Sequence, residues 1–263
     1  MNYESLKLEI HDGIARLTLA RPASLNALTQ QSLVELHHAL KAVTASSEAK
    51  CLVLTGEGRG FCTGVDLVEP RIGLNPGDQD EFLRDYFIPP FRLLSELKIP
   101  SIAAVNGPCA GAGMSLALSC DLVVAVDTAY FLQPFVNIAL VPDLGSSWLI
   151  PHSVGRARAA GLMLLGEKLT AAEAAQWGLI WKCSSSEKFQ EDIDRISARF
   201  VNGARSHGAI KLLLQEAFKN DLPAQMRLET QFQSSAVRSV DHMEARAAFR
   251  EKRPPVFAAP PAA

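Results

Sequence analysis

A carboxylate set among apolar residues is the group best placed to do chemistry in this chain. It is Asp143, in the run Val141-Pro142-Asp143-Leu144-Gly145. Upstream lies a glycine-alanine loop, Cys109-Ala110-Gly111-Ala112-Gly113. A carboxylate can take a proton from carbon and return it elsewhere. A loop of small residues can aim a main-chain N–H at an oxygen that turns negative in between. Neither is of use without the other, and together they describe the making and quenching of an enolate. A second glycine-rich stretch, Gly60-Phe61-Cys62-Thr63-Gly64-Val65-Asp66, is a further candidate donor loop. Each loop sits between a buried strand and a helix, where unpaired N–H groups and the helix partial charge favour an anion. Taken singly, either loop also reads as an ordinary tight turn. Asp143 likewise reads as the cap of a helix opening at Gly145-Ser146-Ser147-Trp148.

The elements that must position these residues follow from periodicity. Leu6 to Leu19 reads as two short strands around His11-Asp12-Gly13. Thr29 can cap a helix running to about Ala45, with Leu33, Leu36 and Leu40 near helical spacing. Cys51 to Gly56 is a continuous apolar run ended by glycine, hence a buried strand. A helix is expected over Glu81 to Leu97, stopped by Pro100, and a buried strand over Ile102 to Val105. A small-residue helix, Ser115 to Cys120, should lead to the strand Leu122 to Val126. Another strand is expected over Tyr130 to Phe135, then helices over Arg156 to Leu165 and Thr170 to Trp177. Thr170 and Glu173 have capping-box spacing. From Lys188 to Phe249 helical signals dominate, and Pro254 to Ala263 reads as a frayed end. Alternating strand, loop and helix places the chain in the α/β class.

Composition excludes several classes. The chain has 263 residues, room for one large domain or one with a small appendage. A formal charge of −2 argues against nucleic acid as the main partner, while leaving room for a local basic patch. The apolar stretch Ser101 to Val126 is interrupted by Asn106, Pro108, glycines and Asp121, so it is no membrane span. The opening MNYESLKLEI reads without a secretory leader. The five cysteines are odd in number, lie in apolar surroundings and form no C-x-x-C pair. They read as reduced core residues of a cytoplasmic protein, with Cys62, beside a loop, as an alternative reactive thiol. The six histidines lack metal-ligand spacing, and no metal is expected. His37 and His38 fall on a helix taken as surface, and Asp121 reads as a structural hydrogen-bonder. There is no phosphate-loop lysine and serine and no Gly-x-Ser-x-Gly elbow, so neither nucleotide binding by that route nor a serine hydrolase is supported.

The order and spacing of RPASLNAL, LTGEGRGFCTGVDL, AAVNGPCAGAGMSLALSCDLVVA and FLQPFVNIALVPDLGSSWLIPHSVGRARA resembles the enoyl-CoA hydratase/isomerase (crotonase) family. The resemblance spans nearly the whole chain, including Glu251-Lys252-Arg253. Its second half is most similar to the branch that isomerises ring-epoxidised phenylacetyl-CoA. It implies a spiral of ββα units over residues 1–195 and a helical oligomerisation region over 196–263 that builds trimers or stacked hexamers. It also implies a coenzyme A thioester substrate, with coenzyme A part of that substrate and no separate cofactor. By position, the N–H groups of Val65 and Ala112 would form an oxyanion hole. Ala23, Ser24, Leu25 and Ala27 would line the coenzyme A site with Asp66 and Leu67. Lys252 would reach the phosphates, those of a neighbouring subunit's ligand.

The departures narrow the expectation. Hydratases of the family carry two glutamates, and the matching positions here are Ser115 and Phe135. That pair cannot supply the base and the acid that hydration needs. Asp143 falls where family isomerases place one acidic residue. Val141 and Leu144 should raise its pKa and make it a better base. The expectation is therefore an acyl-CoA isomerase acting on a ring-epoxidised phenylacetyl-CoA or a Δ3-enoyl-CoA. Three rivals remain: an enoyl-CoA hydratase-like activity, an aryl-CoA dehalogenase or hydrolase with Asp143 as nucleophile, and a non-catalytic acyl-CoA binding protein. The acyl group itself is not legible, because the pocket walls come from loops such as Glu69 to Asp85.

Overall fold

A computed structural model describes residues 3–68 and 80–257. The expected pocket loop therefore lies mostly outside the described residues, as does the last part of the tail expected to fray. The chain opens with β1 (Leu6–His11) and β2 (Ile14–Leu19), an antiparallel hairpin. Asp12 and Gly13 both have positive φ, the backbone that a two-residue hairpin turn with matching twist requires. Next come α1 (Gln30–Ala45) and β3 (Cys51–Gly56). The Thr29 hydroxyl accepts from the Ser32 N–H and starts α1 as its sequence predicts. Then a π-helical segment, Leu83–Phe87, runs into α2 (Ile88–Ser95). Pro89 and Pro90 lack N–H donors, so the helix widens just ahead of them.

β4 (Ser101–Val105), β5 (Cys109–Ala110), α3 (Ala112–Leu118), β6 (Leu122–Val126) and β7 (Tyr130–Leu132) follow. After them come α4 (Ser146–Leu165), β8 (Leu169–Thr170), α5 (Ala171–Trp177), β9 (Lys182–Ser184) and α6 (Phe189–Val201). α7 (His207–Glu216), α8 (Leu222–Ala236) and α9 (Val240–Glu251) complete the described fold. The main sheet has the order β1-β2-β3-β4-β6-β9, parallel after the first hairpin, and β5, β7 and β8 form a small second sheet.

β3, β4 and β6 are buried on both faces, which their unbroken apolar runs demand. On one face Leu33, Leu36, Leu40 and Val43 of α1 join the main core with Leu52 and Leu54. On the other, Val53, Ile102, Ala104 and Val124 meet Ile193 and Ile196 of α6. The boundary expected between residues 195 and 196 thus falls inside a helix that covers the sheet. α7 docks by a buried Lys211, whose Nζ reaches Asp121 at 2.9 Å. Asp121 also accepts from the Ser101 N–H and hydroxyl at 2.8 Å, the structural part expected of it.

Three boundaries differ from expectation. α3 begins at Ala112 rather than Ser115, because Gly111 (φ 52, ψ −128) makes the sharp entry turn that opens the helix inside the glycine loop. α4 joins the helix opening read at Gly145-Ser146-Ser147-Trp148 to the one expected over Arg156 to Leu165, as one element from Ser146 that contains Pro151 and breaks at Gly155 (φ 76, ψ 165). β7 stops at Leu132, and Phe135–Ile138 is a 3-10 turn, since Pro134 cannot continue a ladder.

Candidate active site

The two glycine-rich loops lie against one another. Cys62 and Cys109 pair as a parallel bridge, and the Ala110 N–H donates to Cys62 O at 2.9 Å. A Cβ on Gly113 would stand 2.2 Å from Cys62 O, so only glycine admits this approach. A second bridge joins Val65 to Leu28, with bonds made by Gly64 O and the Asp66 N–H. In such a bridge the central residue turns its own N–H to the other side. Gly64 (φ 96) packs on the second loop, since a Cβ on it would lie 3.3 Å from Ala112 N. Ala112 opens α3, so its N–H has no acceptor within the helix. Among the described residues no main-chain acceptor takes up the N–H of Val65 or of Ala112. Asn106 braces the first loop, its Nδ2 donating to Gly56 O at 2.8 Å and Gly58 O at 3.0 Å.

Asp143 sits on the turn that enters α4. Its backbone carbonyl accepts from the Ser146 N–H at 2.9 Å. The helix is capped by Gly145 and takes no side-chain cap, so the carboxylate is not spent as one. Oδ1 is shut off from water and meets no donor among the described residues. Burial, the largest cause, pushes the Asp143 carboxyl up to about 6. The source of that burial differs from expectation: Val141 is 78 % exposed, whereas Leu144 packs against the main core. Ser115, one turn along α3 from Ala112, brings its Oγ within 3.4 Å of Asp143 O. The carboxylate turn is thereby placed against the helix that presents the Ala112 N–H. This arrangement can hold a negative oxygen and move a proton beside it.

The loop before α1 is pinned to the same region. Pro22–Ser24 is a 3-10 turn, and Leu25 and Asn26 are left-handed. The Asn26 side chain, buried, donates to Glu57 O at 3.0 Å and Gly60 O at 2.8 Å. Thr63 N–H donates to Leu25 O at 3.2 Å. Of the expected coenzyme A residues, Ala23 is exposed, Ser24 and Leu25 are half-buried and Leu67 is largely exposed. Ala27 is buried beneath them. Asp66 is occupied by Arg21 at 2.9 Å, a pair that rivets this loop to the first glycine loop. Lys252 is the left-handed C-cap of α9, and no hydrogen bond or ion pair among the described residues joins it to the loop.

The family model described as enoyl-CoA hydratase/isomerase matches residues 9–260. This chain belongs to the enoyl-CoA hydratase/isomerase family. It is 40% identical over 259 residues to a probable enoyl-CoA hydratase of Rhodobacter capsulatus, covering 98% of this chain and 99% of that one. It is 38% identical over 258 residues to 1,2-epoxyphenylacetyl-CoA isomerase of Escherichia coli, covering 97% and 98%. A Geobacillus kaustophilus enoyl-CoA hydratase subunit superposes with a TM-score of 0.92 at 32% identity over 98% of this chain and 99% of that one. The architecture is therefore the crotonase fold, and the family acts on acyl-CoA thioesters.

Within that family the residues at the two glutamate positions are both buried here. Ser115 is 0% exposed, and Phe135 lies in the 3-10 turn with 7% exposure. Two polar residues that the motifs did not single out for the site, Gln133 and Ser146, are both 0% exposed; the Ser146 N–H donates to Asp143 O, and Gln133 Nε2 donates to Ser146 Oγ at 3.4 Å. Their signal was slight: polar residues flanking the motif in otherwise apolar surroundings. Cys62 is sealed in the core and burial pushes its thiol up to about 12, which removes the reactive-thiol alternative. Among the described residues no group of three His, Cys, Asp or Glu could hold a metal. No described helix is long and apolar enough to cross a membrane.

Proposed function

We propose that this chain is an acyl-CoA isomerase working through a thioester enolate, with Asp143 as its one acid–base group. The observation that carries the proposal is the buried, unpartnered Oδ1 of Asp143, on a turn held against the helix that begins at Ala112. The main-chain N–H groups of Val65 and Ala112 hold the enolate oxygen. Asp143 takes the α- or γ-proton, and returning it to the other carbon moves the double bond. Hydration would need a second carboxylate, and Ser115 and Phe135 offer none. Use of Asp143 as a nucleophile would want a histidine to activate water, and no hydrogen bond links a described histidine to it.

The substrates that fit are a ring-epoxidised phenylacetyl-CoA and a Δ3-enoyl-CoA. For the epoxide, the same hole and carboxylate would assist a C–O shift to the seven-membered oxepin. The loop Ala23, Ser24, Leu25 and Ala27, with Asp66 and Leu67, takes the coenzyme A, and Lys252 serves the phosphates of a neighbouring subunit. A trimer or stacked hexamer is supported by exposed apolar residues on the C-terminal helices, Leu214, Leu222 and Phe249 among them. A groove of about 1290 Å³ among those helices, lined by Ile210, Leu213 and Met226, contains none of the proposed catalytic residues. The cysteines, all unpaired and all but Cys183 buried, support a reducing, cytoplasmic setting.

Solvent deuterium exchange into a trans-3-enoyl-CoA and a non-isomerisable acyl-CoA tests the proposal. Exchange at the α- or γ-carbon that vanishes in Asp143→Asn is the expected result. Exchange that survives in Asp143→Asn, or binding without any exchange in the wild type, would sink it.

A further inference from the structure

Beneath Asp143 lies a cluster of buried hydroxyls that proton transfer does not itself require. Ser115, Ser146 and Gln133 are all 0% exposed. The Ser115 and Ser146 hydroxyl oxygens are 2.5 Å apart, and Gln133 Nε2 donates to Ser146 Oγ at 3.4 Å. A buried hydroxyl is costly unless it is hydrogen-bonded, and alanine would fill either position without that cost. The hydroxyls must therefore be read by what they join. Ser115 belongs to α3, on the same helix face as Ala112. Ser146 is the first residue of α4 and donates its N–H to Asp143 O, which the Ser115 hydroxyl also approaches at 3.4 Å.

The turn between them needs such a fastening. Leu144 (φ 50) and Gly145 (φ 83) are successive left-handed residues, and a leucine there is strained. Strain of this kind persists only where surrounding contacts over-determine the backbone. On the exposed side Leu140 and Val141 give little help, being 56 % and 78 % exposed. Leu144 packs against the main core, and the hydroxyl pair is the polar link that spans from α3 to the carboxylate turn.

We propose that Ser115 and Ser146 are positioning residues, a hydroxyl tie that fixes Asp143 relative to the Ala112 N–H. The tie rests on the assignment of Asp143 as the acid–base group. It gives Ser115, at a position where hydratases carry glutamate, a task of its own in this chain. Without the tie the turn relaxes outward and the carboxylate gains water.

The test compares Ser115→Ala, Ser146→Ala, the double variant and the hydroxyl-keeping Ser146→Thr. The direct readout is the titration of the Asp143 carboxyl, followed by carbon NMR and identified by its loss in Asp143→Asn. Either alanine variant should move the midpoint down toward the ordinary carboxylate range, and Ser146→Thr should hold it near the wild-type value. Deuterium exchange into trans-3-hexenoyl-CoA should fall at least ~10-fold in kcat, since small misplacement of a catalytic group is expensive in rate. KM should stay within about 2-fold, and the double variant should lose little more than either single one, as two halves of one contact do. An unchanged midpoint in both alanine variants overturns the tie, as does loss of exchange in proportion to loss of folded protein. If Asp143→Asn itself keeps its exchange, the acid–base assignment falls while the titration still decides whether the tie exists.

Discussion

The two halves of the proposed site are built from different materials. The paired glycine loops offer main-chain N–H groups, and their geometry is set by backbone bridges at Cys62–Cys109 and Leu28–Val65. The Asp143 turn offers a side chain, and its geometry is set by a strained backbone and a few hydroxyls. If main-chain donors form the hole as proposed, the first half should tolerate changes of side chain, Val65 and Ala112 included. The second cannot, because its chemistry resides in one carboxyl and that group's burial.

The sharpest way to break this comparison is at the carboxyl. Asp143→Asn removes the only proposed base while leaving shape and volume almost unchanged. Exchange should fall by about 10²–10⁴, the usual reach of general acid–base catalysis. Binding of a non-isomerisable acyl-CoA, measured by calorimetry, should stay near the wild-type value. The main-chain half needs a different tool, since no ordinary substitution deletes an N–H. Proline does, and Ala112 is the first residue of its helix, where proline is well accommodated. Ala112→Pro should therefore fold, yet lose on the order of 10²–10³ in kcat, as removal of one oxyanion donor typically does. A proline variant that folds and turns over normally would take Ala112 out of the hole.

Stability separates the halves further. Asp143 titrates near 6 in the fold against 3.8 as an ordinary carboxyl. Between those values the folded chain holds a proton that the unfolded chain has lost. Stability must then decrease as pH rises through that window, and stay level above it. Asp143→Asn should accordingly be about 1–3 kcal/mol more stable than the wild type at about pH 8, an advantage that fades by about pH 4. Chemical denaturation at the two pH values checks this. In the same window the exchange rate should climb with pH and level off above about 6, because only the ionised form is a base. An active-site carboxyl that costs stability when ionised is the expected mark of a group kept for chemistry.

How far this division could be seen in the sequence follows from the same physics. The strands β3, β4 and β6 announce themselves as unbroken apolar runs, and Thr29 and Thr170 mark helix starts by capping. The start of α3 has no such mark: Gly111 looks like a loop residue, yet it takes a positive φ immediately before the helix begins, as Gly145 does before α4. The resemblance to the enoyl-CoA hydratase/isomerase family pointed to the positions 65, 112 and 143, on which the proposal rests. It did not show that the two glycine loops touch, because pairing between Cys62 and Cys109 is a long-range fact with no local signature. Ser115 was visible only as a missing glutamate, and Ser146 only as an ordinary residue after a glycine. Their significance lies in a contact of 2.5 Å across thirty-one positions, which no spacing rule predicts.

The smallest expected effect is also the one that refines the contrast most. Val65 supplies its N–H to the proposed hole, while its side chain is half-buried against the main core. If the donor alone matters, Val65→Ala should leave kcat for a short trans-3-enoyl-CoA within about 3-fold, far inside the 10²–10³ that loss of a donor costs. The lost methyls should instead widen the acyl pocket, so bulkier acyl groups gain in kcat/KM relative to short ones. A modest loss of stability, about 1–2 kcal/mol, would accompany the thinner packing. A large fall in kcat for every acyl chain would mean that the side chain helps to hold the loop in shape. The main-chain half would then depend on its side chains as the Asp143 turn does, and the contrast between the two halves would dissolve.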